Sequence, residues 1–191
     1  MKKSFVGIIV LLAVLFIAVV SFFSASNKLV VLREEVELQK SQVATTLQRR
    51  SDLIPNLVET VKGYTSHEEK VFTEIAEARA QLAGSIESGD LEAMSEANDA
   101  ISASLGRLLA IQESYPELKA SEQFIALQDE IAGTENRIAV SRQYYNDAVR
   151  AYNTKIKMFP TSIIANMTGH ESMPYFEASS GAEEAPTISF S

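Results

Sequence analysis

The chain has no cysteine at all, and only two of its 191 residues are histidines. Without a thiol there is no disulfide framework, no thiolate-bound metal and no cysteine to carry a lipid. The two histidines, His67 and His170, cannot supply the paired Glu-x-x-His ligands of a di-iron bundle, since neither has a glutamate three residues before it. His67-Glu68-Glu69 also lacks the second histidine that a zinc-peptidase helix needs one turn later. Glycine-rich phosphate loops and nucleophile elbows are missing too, so no catalytic, cofactor or metal site is expected. Positive charge is short as well. Seventeen Lys and Arg face 25 Asp and Glu, for a net charge of −8. Lys2 and Lys3 precede the first apolar run, so the rest of the chain is more acidic still. Such a surface repels phosphate backbones, which excludes nucleic acid as an expected partner.

What is present begins with Phe5 to Phe23, FVGIIVLLAVLFIAVVSFF, a run of 19 residues without a charge. At about 1.5 Å per residue it nearly matches a hydrocarbon core of ~30 Å. A cleaved signal peptide is the rival reading, with Lys2 and Lys3 as its basic start and Ser24 and Ser26 near a cleavage site. Signal-peptide apolar cores span only about 7–15 residues, so the run is read as a retained transmembrane anchor. Lys2, Lys3 and the amino terminus favour a cytoplasmic start, although Lys28, Arg33 and Lys40 follow closely. The expected location is the plasma (inner) membrane, single-pass, with the domain on the extracytoplasmic side.

Beyond the anchor, helix formers dominate, and Gly63, Gly84, Gly89, Pro116 and Pro160 punctuate the chain. Four helices are predicted, near residues 27–63, 66–87, 90–113 and 119–159. The first carries Val43, Leu47, Ile54, Leu57, Val61 and Tyr64 at three- and four-residue spacing once Arg50 is counted. Pro55 lies within this seam and predicts a bend near Ser51, not an end. Ser66 and Glu69 have capping-box spacing for the second helix, whose stripe is Val71, Ile75, Ala78, Leu82 and Ile86. Asp90 is placed to cap the third, with Leu91, Met94, Ile101, Leu105 and Leu108 along it. In the fourth, Phe124, Ile131, Ile138, Tyr145, Tyr152 and Phe159 recur every seven residues, flanked by Leu127, Val149 and Ile156. A helix of that span is ~60 Å long.

The expected fold is therefore all-α: an N-terminal transmembrane helix, then an elongated antiparallel four-helix bundle with two long and two shorter helices. Residues 1–26 form the basic start and anchor, 27–159 the bundle, and 160–191 a mostly irregular tail. The tail holds Tyr175, Phe176, Ile188 and Phe190, whose aromatic members are candidate docking anchors.

Arg50 stands where the first helix calls for an aliphatic residue, and a buried guanidinium requires a carboxylate. Arg49, Arg50, Asp52, Glu59, Glu135 and Arg142 are the candidate members of a buried ion-pair network that fixes helix register. A small charged ligand near Arg50 is the competing reading. Tyr144, Tyr145 and Tyr152 are read as packing residues, not as a nucleotide-stacking strip, because two of them lie on the seam.

Three long strings resemble the LemA family. They are SQVATTLQRRSDLIPNLVETVKGYTSHE from Ser41, ESYPELKASEQFIALQDEIAGTENRIAVSRQYYNDAVRAYN from Glu113, and FPTSIIA from Phe159 followed by PYFEA from Pro174. The chain departs from the family pattern at Ser26-Asn27, where a Tyr-Asn pair is common, and at Gly169-His170, where Gly-Phe is usual. The resemblance implies a membrane-anchored, LemA-like four-helix bundle in bacteria without an established enzyme activity, with relatives that organise membrane compartments. The expected function is a membrane-tethered scaffold or adaptor contacting itself or another membrane protein. An extracytoplasmic ligand sensor is the alternative; with only Met1 to Ser4 before the anchor, it is expected to signal through a partner.

Overall fold

The computed structural model describes residues 2–65 and 68–176, with side chains from Val6 onward. The predicted cap Ser66, His67, Ile188 and Phe190 lie outside the described residues. Every regular element among the described residues is helical. The order is α1 (Lys2–Lys62), α2 (Glu69–Ser88), α3 (Leu91–Ile111), a 3-10 turn (Gln112–Ser114), α4 (Pro116–Lys119), α5 (Glu122–Lys157) and α6 (Thr161–Thr168).

The anchor and the first predicted helix form one continuous element, because the change in hydropathy after Phe23 interrupts no backbone hydrogen bond. Ser24, Ser26 and Asn27 are only modestly poor helix formers and do not stop it. The helix also continues through Pro55, as the apolar spacing predicts. The apolar run of α1 is long enough to cross a membrane and none of it is buried.

Local chemistry sets the other boundaries. Gly89 takes the left-handed conformation (φ 69°) that closes α2. Asp90 then caps α3, its Oδ1 accepting from the backbone N–H of Glu92 at 3.0 Å and of Ala93 at 3.2 Å. Ser121 accepts from Phe124 N–H at 3.4 Å, so α5 starts there and not at residue 119. Gly169 (φ 73°) ends α6.

The chain divides into two compact units. One comprises the chain up to Lys40 with Tyr144–Tyr175. Its core holds Leu29 and Val36 from α1, Tyr145, Val149, Tyr152 and Ile156 from α5, and Ile164 and Ala165 from α6. The other comprises Ser41–Gln143 with Phe176. Here α1 buries Val43, Leu47, Ile54, Leu57 and Val61, against Ile75 and Leu82 of α2, Ile101 and Leu108 of α3, and Phe124, Ile131 and Ile138 of α5.

Three sequence expectations change. Phe159, the last of the seven-residue series, is 81% exposed. α5 ends at Lys157 because a residue before proline is pushed out of the helical region, which removes Phe159 from the seam. Tyr64 follows the end of α1 and is exposed too. The stretch after Pro160, expected to be extended, opens with the eight residues of α6.

Candidate functional site

Leu29, Val36, Val43, Arg50 and Leu57 recur every seven residues on α1 and all are buried. The helix therefore drives Arg50 inward, and only 4% of its side chain stays exposed. Its Nη1 donates to Glu135 Oε2 at 2.6 Å and to Asn98 Oδ1 at 2.6 Å. Glu135 lies four residues after Ile131 and three before Ile138, so it shares the inward stripe of α5 while its carboxylate stays half exposed. Asn98 completes the series Met94, Asn98, Ile101, Leu105, Leu108, with alternate four- and three-residue steps, and is buried. Sequence reading missed it; the gap between Met94 and Ile101 was the available signal. One guanidinium thus joins three helices within this unit.

Arg142, half-buried, stands nearby and stacks its guanidinium 4.5 Å from the centre of the Phe176 ring. Burial pushes the pKa of both arginines down. Glu135 and Asp99 oppose this at Arg50 while Arg142 adds to it, and Asp99 and Glu135 oppose it at Arg142. Two cations and two carboxylates balance in charge. Donors outnumber acceptors, however: Arg50 Nε, Asn98 Nδ2, Arg142 Nε and Nη2 and, on the acceptor side, Asp99 Oδ2 are buried without a hydrogen-bond partner among the described residues. A guanidinium does not surrender its proton near neutral pH, so this centre holds and orients groups; it does not shuttle protons. Beside it is a cavity of about 340 Å³, lined by Arg50, Glu135, Ser102, Gln128, Leu105 and Ile131 among others.

The remaining expected members stand elsewhere. Arg49 pairs with Glu130 at 2.9 Å on the surface. Asp52 accepts from Gln48 Nε2 at 2.8 Å, and Glu59 from Lys62 Nζ at 3.0 Å, both exposed. At about 100° per residue, positions two and nine beyond Arg50 point to the opposite side of α1, which is why neither carboxylate reaches it. Among the described residues no group of three His, Asp or Glu side chains could hold a metal ion.

The first unit has its own polar arrangement. Tyr145 and Tyr152 are buried, Tyr144 is exposed, and the buried phenols are used by the segment after α6. Tyr145 Oη donates to Pro174 O at 2.9 Å. Tyr152 Oη is 3.1 Å from His170 Nδ1. Asn153 Nδ2 donates to Met173 O at 2.8 Å while its Oδ1 accepts from Met173 N–H at 2.9 Å. These bonds fasten residues 170–174 onto α5. Burial, and secondarily Glu37, push the Tyr145 phenol up to about 12. The folded state therefore keeps this proton where an unfolded tyrosine, with a pKa near 10, loses it. Stability is full below about pH 10 and falls as pH rises through 12, by on the order of 2 kcal/mol. Tyr145→Phe is expected to flatten this alkaline loss, read from thermal midpoints between pH 9 and 12.

With this helical architecture in view, comparison with known proteins gives a consistent result. Residues 39–190 match the LemA family, and the chain belongs to it. It is 27% identical over 176 residues to magnetosome protein MamQ 2 of Paramagnetospirillum magneticum, covering 79% of this chain and 64% of that protein. It is 23% identical over 193 residues to magnetosome protein MamQ of Magnetospirillum gryphiswaldense, covering 87% and 71%. With protein LemA of Metamycoplasma hominis it shares 26% over 174 residues, covering 89% and 78%.

Proposed function

We propose that this LemA-family chain is a membrane-anchored scaffold or adaptor that works through helix-mediated contacts with itself or with another membrane protein, and that it is not an enzyme. The carrying observation is an apolar face of α1 beyond the anchor. Val31 and Leu38 lie seven residues apart, on one side of the helix, and are 60% and 51% exposed. A seven-residue apolar spacing is what a partner helix packs against. The polar groups of the second unit, taken by itself, support an antiparallel helical bundle. Arg50 ties α1 to α3 and α5, Arg79 of α2 donates to Ser51 O of α1 at 3.1 Å, and Arg107 of α3 meets Glu74 of α2 at 2.9 Å. The relatives named for the magnetosome fit a role in a membrane compartment. A photo-crosslinking amino acid placed at Leu38 in intact cells is expected to yield discrete adducts with a second copy or another membrane protein. Recovery of monomer alone would contradict the reading.

One observation favours a second reading, a sensor for a small anion: the cavity of about 340 Å³ lined by Arg50, whose Nε is buried without a hydrogen-bond partner among the described residues. A Cβ at Gly106, on the cavity wall, meets nothing within 4 Å. Gly106→Leu therefore fills the cavity while leaving Arg50 in place. If phosphate or a short-chain carboxylate raises the melting temperature of the full chain, and Gly106→Leu abolishes that rise, the sensor prevails.

A further inference from the structure

Four apolar side chains of the first unit stand exposed close together in sequence. They are Met158 (52%), Phe159 (81%), Ile163 (53%) and Met167 (71%). Ile163 and Met167 are four residues apart on α6 and share a face, whereas Thr161, Ile164 and Ala165 turn inward. No charged residue occurs from Met158 to Gly169, and Lys155 and Lys157 stand just before that stretch. Large apolar side chains grouped this way need a cover.

The level at which they sit identifies it. Within this unit α1 runs from the apolar run to Lys40 and continues beyond it, whereas α5 enters the unit at Tyr144. α5 therefore runs back along α1 toward the anchor, and the two helices are antiparallel here. Phe159 lies about 22 Å past Tyr144 in that direction. That brings it level with residues near Ser26 on α1, about one turn from the end of the apolar run at Phe23. Lys28 of α1, also exposed, occupies the same level.

We propose that Met158–Met167 is a membrane-interface foot. Met158, Phe159, Ile163 and Met167 enter the headgroup–acyl boundary of the bilayer crossed by Phe5–Phe23, and Lys28, Lys155 and Lys157 face its phosphates. The proposal rests on the anchor being retained. An amphipathic helix with one apolar face and flanking lysines buries that face about 5–10 Å deep in such a boundary, and lysine stems extend their charge toward the headgroups. Held by the anchor at one point and the foot at a second, this unit is fixed in tilt, not swung freely on one helix. Val31 and Leu38 are thereby presented at a set height above the membrane.

The absence of cysteine makes a direct test simple. The full chain carrying Ile163→Cys, Met167→Cys, Leu12→Cys or Tyr144→Cys is labelled with an environment-sensitive fluorophore. It is then reconstituted in vesicles of phosphatidylethanolamine and phosphatidylglycerol. Labels at 163 and 167 are expected to shift to the blue and to lose most of their emission to nitroxides placed high on the acyl chains. The label at 12 should respond to deep nitroxides. The label at 144, roughly 22 Å back along α5 from Phe159, should respond only to aqueous iodide. If labels at 163 and 167 behave like that at 144 while 12 is quenched by lipid, the foot is overturned and the anchor stands. If 12 also escapes lipid quenchers, the anchor fails and the foot with it. If 163 and 167 are shielded from iodide in native membranes but open in pure lipid vesicles, a protein covers the patch and the lipid assignment is overturned.

Discussion

Glu135→Ala is expected to lower the unfolding free energy by about 2–3 kcal/mol. That is less than the ~3–5 kcal/mol typical of breaking a fully buried pair, because the Glu135 carboxylate is half exposed and already screened by solvent. The loss comes from what remains: a guanidinium on a side chain only 4% exposed, without the carboxylate that compensates it. Arg50→Met removes that charge and leaves Asn98 Oδ1 without its donor, a cost of about 1–3 kcal/mol. In Arg50→Met combined with Glu135→Ala no uncompensated guanidinium remains. The double variant should therefore be more stable than the two single losses added together predict, by roughly 1 kcal/mol or more. Chemical denaturation of the full chain in mild detergent, followed by far-ultraviolet circular dichroism, measures all three. Additive losses would mean that the contact seen at 2.6 Å does not couple the two helices.

Asn153→Ala is expected to open one segment without unfolding the helices. Asn153 is buried and pairs twice with the backbone of Met173. Truncation leaves an N–H and a carbonyl at Met173 without partners, a local cost of about 2 kcal/mol. Residues 170–174 then keep the bonds from Tyr145 and Tyr152 and that of His170 N–H to Ala165 O. Amide exchange at Met173 should accelerate by more than tenfold, with proteolysis beginning near Tyr175, while the helical signal stays unchanged. Tyr152→Phe, which removes a single bond to His170, should have a smaller effect of the same kind. A global loss of helix in Asn153→Ala would contradict this division of labour.

What could be read from the sequence follows from what leaves a period in it. Three- and four-residue spacing on the first helix and seven-residue spacing on the fourth marked most of the buried stripes, and Arg50 was visible because it fills a position where the first stripe needs an apolar residue. Asp90 was legible as a cap because its side chain acts within its own turn. Asn98 was not, since a polar residue among alanines and serines leaves no distinctive pattern until the step between Met94 and Ile101 is counted. Asp52 and Glu59 entered the expected network by proximity along the chain, whereas helix phase turns them outward. Phe159 kept the period but not the helix, which Pro160 had already ended. α6 escaped because two turns are too few to establish a period, and its inward residues are identified only by what they touch. The tyrosines were read as packing groups; that their hydroxyls hold residues 170–174 depends on where the chain returns, which spacing along α5 cannot encode.

The apolar first third of α1 is expected to remain attached and embedded while the rest of the chain stands on it. The most direct measurement of this is the intact mass of the protein recovered from membranes after an alkaline carbonate wash. The expected mass includes the stretch Phe5 to Phe23 and is found in the membrane pellet. A species shortened by that stretch, or the intact chain released into the wash, would contradict it.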